Sequence, residues 1–216
     1  MAGLTTFRDF RARRCGSDIL VVSDVAEIAD AWRLLEDDGH ATVFQTRRWL
    51  QPFLDIVAPR ENAEPLFVLA RDRASGAPQM LLPLCLRRAG ALRAIEFADL
   101  GASDYNAPLI AAGFRPTPAD FATLWSSIRA ALPAADIVRI DKSPATIAGA
   151  PNPFAGLAFM HRLGLGAWSL PLPATRAAYE RDSLSAHVRK EMRRKRRRLE
   201  TQGIVRLRRA RDPDEA

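Results

Sequence analysis

Asp104, Tyr105 and Asn106 stand side by side in the stretch FADLGASDYNAPLI. A carboxylate, a phenol and an amide in consecutive positions are a proton acceptor, a proton donor and a two-way hydrogen-bonding group within one loop. Asp104 suits acceptance of a proton from a hydroxyl or amine, and Tyr105 suits donation of one. The competing reading is structural, because Asp and Asn fold their own backbone into tight turns with no ligand involved. Upstream, FQTRRWLQPFL offers Gln45 as a pocket or cap residue, while Trp49 is expected in the core. His40, His161 and His187 are isolated in sequence, without a spaced partner for a metal or for a nucleophile-base pair, and read as surface or structural residues. The glycine-bearing LGAS (100–103) and LGLGA (163–167) read as ordinary turns.

The second chemical feature is charge. HVRKEMRRKRRRLETQGIVRL (187–207) dominates the basic character, since residues 187–211 hold twelve basic side chains against two acidic ones. That is a local +10 against +7 for the whole chain, so the remaining residues together carry −3. Leu184, Val188, Met192 and Leu199 recur at helical spacing, and the stem of Lys195 covers the gap. The favoured reading is a docked helix with a solvated cationic outer face. A nucleic-acid arm would want interleaved aromatic residues or a recognition motif, and neither accompanies it, so no specific nucleic acid is expected. An anionic lipid surface, a polyanion and the phosphates of coenzyme A are the other ligands this charge would attract. Arg189, Arg193, Arg194 and Arg197 are the candidate contacts.

The elements that must position these groups follow from periodicity. DILVV (18–22) has the apolar density of a buried strand, and Val25, Ile28, Ala31, Trp32 and Leu35 mark a helix that Gly39 stops. A second helix from about Thr46 places Trp49, Leu50, Phe53, Leu54 and Val57 on one face, closed by Pro59. PLFVLARD and PQMLLPLCLRR flank a RASGA turn, and LRAIEFADLG adds a third strand to an antiparallel meander. Asp104, Tyr105 and Asn106 follow that strand, where a splayed sheet edge would open a pocket. Thr117 before Pro118 predicts an N-cap and first helical position, ADIVRIDK a buried strand, AWSLPLP (167–173) another, and TRAAYERDSL a short helical turn. From about Ser185 a longer helix runs toward Gly203, and IVRLRR restarts as a strand. The fold class is therefore α/β, a mixed, largely antiparallel sheet interrupted by helices.

Composition narrows the class. With 216 residues and 48% apolar content the chain can bury a real core, which excludes a disordered or fibrous protein. Cys15 and Cys85 lie far apart with neither a disulfide framework nor a zinc spacing, so a reducing, cytoplasmic setting is the default. Charges interrupt the N-terminal stretch where a signal peptide needs an apolar run, and no segment approaches the roughly 18 apolar residues of a membrane span. The expectation is a soluble protein.

Four segments in order, FQTRRWLQPFL, FADLGASDYNAPLI, ADIVRIDK and LSAHVRKEMRRKRRRLETQGIVRL, resemble the front part of the CelD-type acetyltransferases of the GNAT superfamily. Those proteins are associated with bacterial cellulose and exopolysaccharide biosynthesis. More distantly, the segments are similar to the tandem-GNAT aminoacyltransferases of the Fem type. The matching pieces span Phe44 to Leu207. The resemblance implies a GNAT-like fold over 18–182 after a tail at 1–17, with 183–216 as the basic helix and first strand of a second, apparently truncated acetyltransferase domain. It implies transfer of an acetyl or other acyl group from coenzyme A to an amine or hydroxyl, on a small-molecule or sugar acceptor. Gln45, Trp49, Asp104, Tyr105 and Asn106 become candidate substrate-binding residues. The usual Gln/Arg-x-x-Gly-x-Gly/Ala phosphate turn is missing, so the acetyl-CoA site is expected chiefly outside this chain. The alternative is a noncatalytic binding module that uses the cationic helix 185–202 on a polyanion or protein partner.

Overall fold

The apolar run DILVV folds as β2 (Ser17–Val22), which pairs with a short β1 (Arg13–Cys15) on one side. The computed structural model describes residues 13–164, 166 and 170–206, in two compact units, Met1–Leu165 and Gly166–Ala216. In the first unit Asp24 caps a 3-10 turn at Val25–Ile28, which leads into α1 (Ala29–Asp38). Ile28, Ala31, Trp32 and Leu35 are buried, as their spacing predicts. Gly39 ends this helix and opens β3 (Gly39–His40), for a steric reason: a Cβ there would lie 2.5 Å from the carbonyl oxygens of both Leu35 and Ile110.

The next helical stretch is less regular than its sequence pattern. It runs as α2 (Arg47–Pro52), a wide π turn at Phe53–Val57, and α3 (Ala58–Arg60). Pro59 therefore does not close the helix but sits inside its last turn. A proline has no N–H and its ring crowds the carbonyl four residues back, and the wide turn lies where that crowding falls. The extra residue also rotates the apolar face, so Ala58 is buried after Phe53 and Leu54 while Val57 is exposed.

β4 (Glu64–Asp72), β5 (Pro78–Ala89) and β6 (Leu92–Phe97) form the expected antiparallel meander. After a long loop come β7 (Leu109–Ala111), α4 (Pro118–Ala131) with Thr117 as its cap, and β8 (Ile137–Val138). The strand order is β1-β2-β4-β5-β6-β8, antiparallel except for the parallel β6–β8 pair, and β7 bridges β3 and β5. The chain is thus a mixed α/β fold with a largely antiparallel sheet flanked by helices. ADIVRIDK is shorter and more exposed than its apolar residues suggest. Only Ile137 and Val138 pair, on the sheet's edge, and both are exposed. A two-residue hairpin of β9 (Thr146–Ile147) and β10 (Ala150–Pro151) and a 3-10 turn at Pro153–Gly156 complete the unit.

Both sheet faces are covered, which is why β4 and β5 read as continuous apolar runs and not as alternating ones. One face packs Val68, Leu82, Leu84 and Phe97 against Phe121, Trp125 and Ile128 of α4 and against Phe154. The other packs Phe67, Leu69, Leu81 and Cys85 against Trp32, Leu50, Phe53 and Leu54.

The division of the sheet has a sequence cause. β5 carries β4 along one edge, while its other edge serves β7 at Met80 and Leu81 and β6 from Leu84 onward. Pro83 lies between them, and its carbonyl accepts from Ala98 N at 3.2 Å, toward this second edge. Within an antiparallel strand a residue's N–H and C=O share an edge, so the donor that proline lacks is missing at the junction. Here β6 ends and residues 98–108 leave the sheet before returning as β7.

The second unit contains α5 (Arg176–Asp182), capped by Thr175, and α6 (Ala186–Glu200), capped by Ser185. Leu170–Pro173 and Ile204–Arg206 have no regular structure, contrary to the strands expected there; Ala167–Ser169 and Leu207 onward lie outside the described residues.

Candidate functional site

Residues 98–108 form the loop at the split edge, and three elements hold it. Its internal frame is Asp99, buried, whose carboxylate accepts from Gly101 N at 3.1 Å and Ser103 N at 2.8 Å. Leu100 and Gly101 adopt positive φ, 46° and 88°, to complete this turn. LGAS is thus an ordinary tight turn in geometry, but it is the turn that builds the site.

The first outside support is the 3-10 turn at Val43–Gln45 just before α2. Gln45 is buried; its Oε1 accepts from Thr42 N at 3.0 Å and Thr42 Oγ1 at 2.7 Å, and its Nε2 donates to Tyr105 O at 2.7 Å. Gln45 is therefore a cap residue and a loop anchor at once. Trp49, one turn on, donates from Nε1 to Ser103 Oγ at 3.2 Å. It is 39% exposed, not a core residue as its place in the apolar pattern suggests. Phe44 packs edge-on against Trp49, centroids 5.0 Å apart, and tilts against Tyr105 at 5.7 Å.

The second support is Lys142, just after the ADIVRID segment. Its Nζ donates to Gly101 O at 2.7 Å and Ser103 O at 2.9 Å, and its own carbonyl accepts from Asn106 N at 2.9 Å. Lys142 holds a positive φ of 51° to do so. The third is β5 itself, through the Ala98–Pro83 bond. Gln45, Trp49, Tyr105 and Asn106 thus belong to one hydrogen-bonded cluster. Asp104 projects into solvent beside it, Tyr105 is half-buried and Asn106 is buried. Asp99, Ser103 and Lys142 were missed in the sequence. The Asp-Leu-Gly turn signature pointed to Asp99, while nothing local marks a lysine that acts across some forty residues of chain.

The cavity behind the cluster, lined by Gln45, Pro83, Asp99, Ser103 and Asn106, holds about 10 Å³, the size of one water. A ligand would therefore meet the outer surface of the loop, where Trp49 and Asp104 are exposed. A larger open cleft of about 410 Å³ lies elsewhere in the unit, lined by Ser17, Asp72, Gln79, Arg115 and Asp120 among others. Its carboxylates are engaged: Asp72 is held below the usual carboxylate range by the Ser75 hydroxyl and then the Ser75 backbone N–H, and Asp120 closes the Thr117 capping box.

Near the cluster, Glu96 is buried between Arg87, which donates to it, and Arg139, 2.6 Å away. Its cross-strand partner Cys85 is also buried, and burial first, then the Glu96 and Asp99 charges, push its thiol up to about 12. A neutral buried thiol is no nucleophile. His40 Nε2 lies 3.2 Å from Arg115 Nη2, while His161 and His187 are exposed. Among the described residues no group of three or more His, Cys, Asp or Glu is placed to hold a metal ion, and no helix is long and apolar enough to cross a membrane.

Coenzyme A would draw on free backbone N–H groups at a helix start for its phosphates, and among the described residues the starts of the two longest helices, α4 and α6, are partly closed by their caps. At α4 the Asp120 N–H is bonded to Thr117 Oγ1, and the Asp120 carboxylate brings negative charge to the same turn. At α6 Ser185 Oγ takes the Val188 N–H.

In the second unit the candidate arginines divide in two. Arg189 donates from Nη1 to the carbonyls of Glu180 and Arg181, 3.0 and 3.1 Å away, and of Leu184. It ties α6 to the end of α5. Arg194 forms a two-point pair with Glu191, whose carboxyl it holds below the usual range. Arg193 and Arg197, with Lys190 on the same helix face, make no hydrogen bond or ion pair among the described residues.

What the geometry defines is a two-faced α/β sheet domain with a pinned loop at its split edge, followed by a separate cationic helical unit. No protein-family model, curated protein or solved structure matches the chain.

Proposed function

We propose that this protein is an acyltransferase-like domain of the GNAT type, resembling the CelD-type enzymes, and that its first unit serves the acceptor side of acetyl or acyl transfer. The observation that carries this reading is convergence: FQTRRW, FADLGASDYN and the lysine closing ADIVRIDK, three of the segments behind the resemblance, meet in one hydrogen-bonded cluster. A scatter of these segments would have argued against it. The acceptor is an amine or a hydroxyl, on a sugar, lying against Trp49 with Asp104 at the rim to take its proton. Acetyl-CoA is supplied from outside the described residues, in accord with the capped helix starts.

The test is a titration of amino sugars and sugar hydroxyl compounds followed by tryptophan emission. A saturable response that Trp49→Phe abolishes is expected, and no response from any acceptor overturns the reading. Calorimetric titration of acetyl-CoA at physiological salt checks the cofactor argument: saturable binding by this chain alone, unmatched by phosphate-only analogues, would refute it.

A second reading is favoured by α6, whose Lys190, Arg193 and Arg197, without a partner among the described residues, line one face: a noncatalytic module that docks on a polyanion or a protein partner. Its affinity for a polyanion would fall steeply between low and physiological salt.

A further inference from the structure

α6 presents two surfaces and buries neither. Val188, Met192 and Leu199 are 41%, 49% and 53% exposed and fall on one stripe, and no residue of the helix is buried. Around that stripe are eight basic residues against two acidic ones in Ala186–Glu200. Both acids are already neutralised, Glu191 by Arg194 and Glu200 by Arg196. Lys195 falls within the stripe, Arg196 and Arg198 flank it on opposite sides, and Lys190, Arg193 and Arg197 lie across the helix from it. Just past the helix Ile204 and Val205 are exposed as well.

We propose that α6 lies on an anionic lipid surface, with Val188, Met192 and Leu199 dipping into the headgroup boundary and the basic residues bound to the phosphates. The inference deepens the polyanion reading and rests on it. A nucleic-acid strand would use the cations but leave the apolar stripe in water, and the helix has no Phe, Tyr or Trp on which successive bases could stack, His187 in its first turn being its one ring. An acidic protein groove would engage one side of the helix and would want large anchors in fitted pockets, typically Trp, Tyr or Arg at its centre. α6 has charge on every side and only three medium-sized apolar residues, which a fluid, uniformly anionic surface accommodates without fitted pockets. The stems of Lys195, Arg196 and Arg198 reach up to headgroups from beside the stripe. Lys190, Arg193 and Arg197, across a helix about 10 Å to 12 Å wide, lie about one Debye length from the surface and feel a screened part of its potential.

The experiment uses the full chain and vesicles of phosphatidylcholine, alone or with about a third phosphatidylglycerol, in co-sedimentation at physiological salt, with heparin and poly(U) as soluble polyanions. Binding is expected to the anionic vesicles only. The double variant Met192→Ser/Leu199→Ser, which leaves every charge in place, should weaken vesicle partition by at least about tenfold while heparin binding stays unchanged. The triple variant Lys190→Gln/Arg193→Gln/Arg197→Gln should weaken both. Circular dichroism confirms that each variant keeps its helix. Heparin or poly(U) binding without vesicle binding, or a stripe variant that partitions like the parent, overturns the lipid surface and leaves the polyanion reading standing. Binding to none of these overturns both.

Discussion

Replacing Lys142 by Met keeps the aliphatic stem and deletes the ammonium that holds the 98–108 loop. Two charge-assisted bonds are lost, to Gly101 O and Ser103 O. Hydrogen bonds to a charged group contribute about 1.5 to 3 kcal/mol when buried. One of these two is exposed and the other part-buried, so each is discounted toward the low end, and the pair should contribute about 2 to 3 kcal/mol. In a domain of this size that is a loss of roughly 5 to 10 °C in Tm. Lys142 also pays for its place with a left-handed backbone at φ 51°, a conformation that costs a non-glycine residue about 1 kcal/mol or more. Lys142→Gly loses the same two bonds but relieves that strain, so it should be less damaging than Lys142→Met even though it removes more atoms. Urea denaturation gives the stabilities, and hydrogen exchange at the Gly101 and Ser103 amides reads the loop directly. If Lys142→Met changes stability by less than about 0.5 kcal/mol and leaves both amides as protected as before, Lys142 does not hold the loop and the account of the site fails.

Gln45→Leu leaves Tyr105 O without its donor and Thr42 N without its acceptor, at an expected cost of about 2 to 4 kcal/mol in urea unfolding; a loss below about 1 kcal/mol would show that solvent replaces the anchor. Glu96→Gln removes the negative charge between Arg87 and Arg139 and should cost about 1 to 3 kcal/mol, reduced because Arg139 is half exposed, and an unchanged midpoint would refute the pairing. Cys85 should resist iodoacetamide in the native protein at pH 9 and react at once on unfolding. Its folded thiol titrates at about 12 against 9.0 ordinarily, so above about pH 9 the unfolded chain releases a proton that the folded one keeps, and stability falls as pH rises toward 12. Cys85→Ala should remove that part of the alkaline decline, measured by denaturation at neutral and alkaline pH; identical slopes would contradict the burial.

The meander, the capped helix α4 and the basic helix α6 were legible because each is written locally. Apolar density over PLFVLARD, Thr117 before Pro118, and Ser185 before an amphipathic run are all contained within one turn or strand. The misreadings have a common cause, which is that a local pattern does not record what covers it. Ile137 and Val138 look like core residues but form a sheet edge. Trp49 sits in an apolar helical pattern, yet its indole lies against Phe44 and bonds Ser103 of the loop instead of entering the core. Val57 leaves the buried face because Pro59 forces a wide turn ahead of it. The stripe on α6 was expected to dock, but Val188, Met192 and Leu199 are exposed and only Leu184, just ahead of the helix, is half-buried.

Pro83 connects the fold to the site. A valine at that position would offer a donor to a neighbouring strand, and β6 would have reason to continue along β5 toward β7. With proline there, the edge of β5 has a gap in its donors between Leu81 and Leu84, and the chain must leave and return. A loop of that length at a sheet edge would ordinarily be mobile. This one carries a buried carboxylate that sets its turn, a lysine that gathers two of its carbonyls, and an amide and an indole that fix it from the helical side. Ordering so many backbone groups costs conformational entropy. A folded sheet needs no such loop to satisfy its own hydrogen bonds, since about two extended residues would carry the chain straight on from Phe97, opposite Leu84, to Leu109, opposite Leu81. Asp99, Lys142, Gln45 and Trp49 together hold Ser103 to Asn106 in one shape with Asp104 exposed at its tip, as the proposed acceptor surface would need.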